Sequence, residues 1–199
     1  METRQRPDPH SYYEAGDPVL KHLEWKVGVD FETRRLVCTA TLIFSGSGMV
    51  SLDTRGLTIE RVASLMDNSF VWNLDAAEPI LGSRLRVELP EGLTGMRIRY
   101  STSPDASGLQ WLTPEQTAGK RHPFLFSQGQ CLNARSFLPC QDTPGVRFTF
   151  HADITVPIEL RGLMAARHLI RVNHEGQALE QWQMDNPIPS YLVALAVGN

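Results

Sequence analysis

Long apolar runs are absent from this chain of 199 residues. No stretch approaches the roughly 18 residues a helix needs to cross a bilayer, which excludes a helical membrane span. The opening residues, Met1 to Pro9, are charged and proline-containing and hold no apolar core of the kind that forms a signal peptide. Cysteine is scarce, with only Cys38, Cys131 and Cys140. An odd number without a C-x-x-C pair builds neither a disulfide framework nor a zinc ribbon, and it suits a reducing cytoplasm. Charge of one sign is missing too: 19 basic and 22 acidic residues leave a formal charge of -3. No general attraction to phosphate follows, so neither nucleic acid nor a membrane is expected as a partner.

Catalytic signatures are also lacking. The chain has 6 histidines, and none has a second imidazole four residues on to share a helix face around zinc. His174-Glu175 opens like H-E-x-x-H, but Ala178 stands where the second ligand belongs. No G-x-S-x-G is present, and Gly46-Ser47-Gly48 reads as a hairpin loop rather than a nucleophile elbow. Gly119-Lys120 resembles the tail of a phosphate loop, yet Pro114 occupies the position of its first glycine. The residues supply no self-contained active site: no catalytic group, no metal set and no cofactor site is assigned.

What is present is ordinary globular material, 42% hydrophobic and 21% charged. A chain this long can bury roughly 70% of its unfolded surface, and a single domain over 1–199 is expected. Apolar residues alternate at Leu23, Trp25, Val27, Val29 and Phe31, and again at Leu36, Cys38, Ala40, Leu42 and Phe44. That period of two, broken by the charged run Glu32 to Arg35, predicts two strands joined as a hairpin. The pattern returns at Leu85, Val87 and Leu89, at Met96, Ile98 and Tyr100, and from Phe148 through Phe150, Ala152 and Ile154 to Val156. Turn signals at Ser45 to Gly48, Pro90-Glu91-Gly92, Ser103-Pro104-Asp105 and His174-Glu175-Gly176 separate these segments. The fold class is therefore all-β, a multi-sheet domain of mostly antiparallel strands with at most one or two short helices.

One helix start is visible at Thr113-Pro114-Glu115-Gln116, with Thr113 as cap, Pro114 at the first position and Gln116 closing a capping box. Gly119 would end it within two turns. Tyr191 to Val197 is apolar almost throughout and predicts a strand covered on both faces. Either a buried strand closes the domain there, or further polypeptide follows Asn199. Trp25, Trp72, Trp111 and Trp182 are read as core rather than as a stacking platform, since Trp25 and Trp182 lie on alternating apolar faces.

The most distinctive stretch runs from Ser127 to Arg147, where amides, glycines, prolines and an Asp follow no strand or helix period. Gln128-Gly129-Gln130 sets two carboxamides around a residue without a side chain. Such a loop can offer donors and acceptors to an extended peptide, or its amides can satisfy buried backbone groups of the loop itself. Arg135 and Asp142 flank it and are read as an ion pair that ties the loop to its scaffold. Cys140, without a neighbouring cation in sequence, is read as inert.

Three motifs carry a resemblance: Gly108 to Thr117 (G-L-Q-W-L-T-P-E-Q-T), His122 to Gln128 (H-P-F-L-F-S-Q), and Asn133-Ala134-Arg135 with Leu138 to Pro144 (L-P-C-Q-D-T-P). Together they resemble the N-terminal domain of the leukotriene A4 hydrolase and aminopeptidase B branch of zinc aminopeptidases, from about Asp8 to the Tyr191–Leu195 segment. The resemblance implies a β-saddle packed on a thermolysin-like catalytic domain beyond Asn199, which would hold the zinc, the acidic general base and the glycine-rich substrate motif. It implies that Gln128, Gly129 and Gln130 reach into the cleft and help hold the amino end of a peptide. A cis peptide bond between Gln130 and Cys131 is implied in the same way.

The partners so implied are the chain's own catalytic domain and, in the full enzyme, a peptide substrate. The segment alone is expected to be inactive. An apolar docking face left bare would favour weak self-association. Whether epoxide hydrolysis accompanies peptidase activity rests with residues outside this chain. The alternative is a free-standing β-domain that binds peptide or protein through the same loop or a sheet edge.

Overall fold

The structure is a computed structural model in which residues 5–199 are described. Residues 1–4 of the expected 1–199 domain, with the start of the stretch tested for a leader, lie outside the described residues. Strands β1 (Leu20–Asp30) and β2 (Arg35–Phe44) form the expected hairpin. They run antiparallel with Trp25 opposite Ala40 and Asp30 opposite Arg35. Alternation sends Leu23, Trp25 and Val27 inward and leaves Glu24 and Lys26 in water, as a sheet with one wet face requires.

Next come β3 (Gly48–Thr54), β4 (Thr58–Ser64) and β5 (Trp72–Leu74). β6 (Ser83–Leu89), β7 (Gly95–Ser101), β8 (Leu109–Leu112) and β9 (Phe124–Ser127) follow. After the long loop, β10 (Arg147–Pro157) and β11 (Arg161–Met164) lead into β12 (Arg167–His174). The last two strands are β13 (Gln177–Pro189) and β14 (Leu195–Gly198).

These strands make three sheets. The largest has seven strands in the order β12-β13-β10-β1-β2-β7-β4, the second four in the order β11-β14-β9-β8, and the third three in the order β3-β6-β5. Pairing is antiparallel except between β1 and β10, where Trp25 lies beside Ala152. The all-β expectation is met: among the described residues the helical elements are 3-10 turns of three residues each. None is long and apolar enough to cross a membrane.

All three sheets feed one hydrophobic cluster, from Val50, Leu52 and Val87 through Trp25, Ile98 and Phe150 to Leu125 and Val197. Each such side chain, taken from water, contributes roughly 1.5–3 kcal/mol. Polar groups inside this cluster are paired where Trp25 Nε1 donates to Tyr100 Oη at 2.8 Å and Tyr100 Oη donates to the Phe137 carbonyl at 2.9 Å.

Two expectations are corrected. The Thr113 start yields only a 3-10 turn over Pro114–Gln116, although Gln116 Oε1 does accept from the Thr113 N–H at 2.9 Å. The turn stops at three residues because Thr117 is already extended, and its hydroxyl donates to the Pro114 and His122 carbonyls. Tyr191 to Val197 is not one strand: Ser190–Leu192 is a 3-10 turn, and strand geometry begins at Leu195. Its apolar run is also covered unevenly, with Leu192 47% exposed and Val193 fully buried. Trp25 and Trp182 are buried, while Trp72 and Trp111 are half-buried and pack against the same cluster, Trp72 also lining a surface hollow with Met49 and Val71.

Candidate functional site

Strand β9, interior to the four-stranded sheet between β14 and β8, delivers the Gln128-Gly129-Gln130 loop from its C-terminal end. Ser127 Oγ accepts from the Leu195 N–H at 2.8 Å, and the Gln128 N–H donates to the Gly108 carbonyl at 2.8 Å. Gly129 is buried against the 3-10 turn at Ser190–Leu192. A Cβ added there would stand 2.9 Å from both the Tyr191 Cα and the Tyr191 carbonyl oxygen. Only glycine fits this approach without movement of the backbone. The Gln130–Cys131 bond is cis, as the resemblance implies.

The two glutamines do not satisfy buried backbone groups. Both are exposed, and Gln128 Oε1 accepts only from the nearby Gln130 N–H at 3.1 Å. The Gln130 side chain has no partner among the described residues. One edge of the loop is therefore spent on its own geometry, and the other presents free amide donors and an acceptor to solvent.

Below the loop lies a buried ionic network that holds it. Arg135, with no exposed surface, donates through Nε to Asp142 Oδ2 at 2.9 Å, through Nη1 to the Leu81 carbonyl at 3.0 Å, and through Nη2 to the His10 carbonyl at 2.7 Å. Asp53 Oδ1 stands 3.6 Å from Arg135 Nη1. Asp53 also accepts from Ser11 Oγ at 2.6 Å and from the N–H groups of Tyr12 and Asp142 at 2.7 and 2.8 Å. Asp142 Oδ1 accepts from Ser190 Oγ, which ties the network to the turn beneath Gly129. The reading of Arg135 and Asp142 as an internal tie is met, and every charged group has the partners that burial demands.

Burial raises the Asp53 carboxyl above its ordinary value even though Arg135, Ser11, Tyr12 and Asp142 all favour its charge. Burial acts against the Arg135 cation, but the charges of Asp53 and Asp142 outweigh it and hold the guanidinium above its usual value. Cys140 is fully buried, and desolvation followed by the nearby Asp142 and Asp53 charges pushes its thiol well up, so the sulfur is inert as expected.

Sequence reasoning missed Asp53, Asn133 and Arg55. A signal for Asp53 existed: it sits in β3 between Leu52 and Thr54, where every position from Val50 onward is buried. An acid in a strand buried on both faces must have a cation. Arg55 gave no such sign, because it meets Asn133 only across a long separation in sequence. Asn133 lies three residues from Gln130, but no local period marks its contact with it.

The zinc implied by the resemblance has no cradle here. Among the described residues, no three His, Cys, Asp or Glu side chains gather as a metal site. The residues present do not fit that group.

The model of the Peptidase M1 N-terminal domain matches residues 13–192. Leukotriene A-4 hydrolase of Xenopus laevis is 38% identical over 203 residues, covering 96% of this chain and 33% of that protein. Leucine aminopeptidase 2 of Pyricularia oryzae is 32% identical, covering 97% of this chain and 33% of the relative. Among solved structures, yeast LTA4 hydrolase in complex with bestatin superposes with a TM-score of 0.84 at 26% identity, over 100% of this chain and 31% of that one. The chain spans about a third of the length of the curated relatives it matches.

Proposed function

Because the chain belongs to the Peptidase M1 N-terminal domain family, we propose that it is the non-catalytic, substrate-shaping part of a zinc aminopeptidase. Its Gln128-Gly129-Gln130 loop contributes to the peptide-binding cleft. The observation that carries this reading is the pairing of an exposed, unpartnered Gln130 amide and the exposed Gln128 amide, whose oxygen meets only the Gln130 N–H, with a foundation that is buried and hydrogen-bonded. Such a foundation preorganises a binding group, so less ordering cost is met when ligand arrives. Gln130 would orient the amino end of a peptide. Zinc and the general base would come from polypeptide outside these residues. Three free cysteines suit a reducing compartment, and a cytoplasmic location is part of the proposal.

The catalytic part of the enzyme is the partner this reading requires. Phe126 and Leu192, 38% and 47% exposed, flank the loop and would be covered by that partner. A segment without it would self-associate weakly.

The test compares the full-length protein with residues 1–199 on a panel of aminoacyl chromogenic substrates in the presence of zinc. Turnover by the full-length protein alone, with KM raised in Gln130→Ala, is the expected result. Metal-dependent turnover by the segment itself would overturn the proposal.

A further inference from the structure

Asn133 uses every polar group it has. Its N–H donates to the Gly129 carbonyl at 2.9 Å, and its own carbonyl accepts from the Ser136 N–H at 3.0 Å and the Ser136 hydroxyl at 2.6 Å. Side-chain Oδ1 accepts from Ser107 Oγ at 3.0 Å and from Arg55 Nη1 at 3.4 Å, while Nδ2 donates to the Gln130 carbonyl at 3.3 Å. These partners settle which end of the amide is which. A guanidinium has donors only and must face Oδ1, and a carbonyl can be met only by Nδ2.

Arg55 is fixed in turn. Its Nη2 donates to the Ile80 carbonyl and its Nη1 reaches Ser107 Oγ at 3.3 Å. The Arg55 N–H donates to the Arg135 carbonyl at 2.9 Å, so the same strand end joins the buried network to the loop. A cation on Oδ1 polarises the amide and strengthens its Nδ2 donor.

We propose that Asn133 is a positioning residue for Gln130: it pins the main chain of Gln130 and so sets where that residue's free amide points. The inference rests on the reading of Gln128–Gln130 as a substrate contact. Asn133 touches no substrate. It acts on binding through Gln130, because a binding group displaced by an ångström loses much of its contribution. Arg55 and Ser107 hold Asn133 in the orientation this needs.

The test uses the full-length enzyme with an aminoacyl p-nitroanilide and the variants Asn133→Ala, Asn133→Asp, Gln130→Ala and the Gln130→Ala/Asn133→Ala double. Asn133→Ala is expected to raise KM about fivefold to tenfold with kcat within about twofold, while the loss of its side-chain hydrogen bonds lowers Tm by no more than about 10 °C. Asn133→Asp keeps the Ser107 and Arg55 partners but turns a carboxylate oxygen toward the Gln130 carbonyl, so its KM rises at least as far. In the Gln130→Ala background, Asn133→Ala is expected to add less than about twofold, because the group it steers has gone.

A wild-type KM in both Asn133 variants beside a raised KM in Gln130→Ala overturns this inference and leaves the loop reading standing. Fully additive effects overturn it as well, as does a fall in Tm with no change in KM. A wild-type KM in Gln130→Ala removes the loop reading and this inference together.

Discussion

Arg135 Nε lies 2.9 Å from Asp142 Oδ2, and both side chains are sealed from solvent, at 0% and 1% exposure. The pair forms within seven residues of chain but serves contacts far beyond it, since Arg135 also reaches the His10 carbonyl and Asp142 also accepts from Ser190 Oγ. Truncating one partner strands the other charge. Asp142→Ala and Arg135→Ala are each expected to cost about 3–5 kcal/mol in urea unfolding. A cost under about 1 kcal/mol for either would mean that the network does not hold the loop.

Gly129 separates loop shape from loop chemistry. A methyl group there meets the Tyr191 backbone at 2.9 Å, and backbone yields less readily than the end of a side chain. Gly129→Ala should destabilise by about 1–3 kcal/mol. Gln130→Ala, at an exposed position with no side-chain partner, should stay within about 0.5 kcal/mol of the parent. Equal stabilities for the two variants would contradict the contact.

Tyr100 is the polar post of the core. Its hydroxyl accepts from Trp25 Nε1 and donates to the Phe137 carbonyl, all of it buried. Tyr100→Phe keeps the ring and orphans both partners, at about 1–3 kcal/mol each. A denaturant titration read by tryptophan fluorescence measures the loss, and an unchanged midpoint would argue that water replaces the hydroxyl.

Glu180 makes the β12–β13 edge sensitive to acid. Burial alone would raise its carboxyl, but hydrogen bonds from Arg171 and His168 and the charges of Arg161 and Arg171 hold it below the ordinary 4.5. The folded value is the lower one, so its stabilisation is complete above the unfolded value and fades as pH falls through the folded one. Amide hydrogen exchange in β12 is expected to speed up as pH drops below 4.5, beyond the intrinsic trend, and Glu180→Gln should flatten that response. Asp53 works in the opposite sense, since its raised value adds stability as pH falls, so a local probe is needed rather than a global midpoint.

The β1–β2 hairpin, β6, β7 and β10 were legible because each buries one face, and alternation then marks both the strand and its inward side. β3 and β12 escaped for opposite reasons. From Val50 onward β3 is buried at every position, while β12 is exposed at nearly every one, and neither leaves a period of two. The start at Thr113 carried the right capping chemistry for a turn that tertiary contacts stop at three residues. The expectation for Gln128 and Gln130 rests on motif resemblance, which marks the loop but not what secures it.

Local pattern by itself determined that the chain is all-β and where its amphipathic strands lie. Those properties follow from residues near one another in sequence. Only the tertiary structure decided that Asp53 shares Arg135 with Asp142, that Tyr191 backs Gly129, and that Arg55 and Ser107 orient Asn133. Each draws together segments distant in sequence through a buried or close contact, and such a contact has no periodicity to read until the sheets have packed.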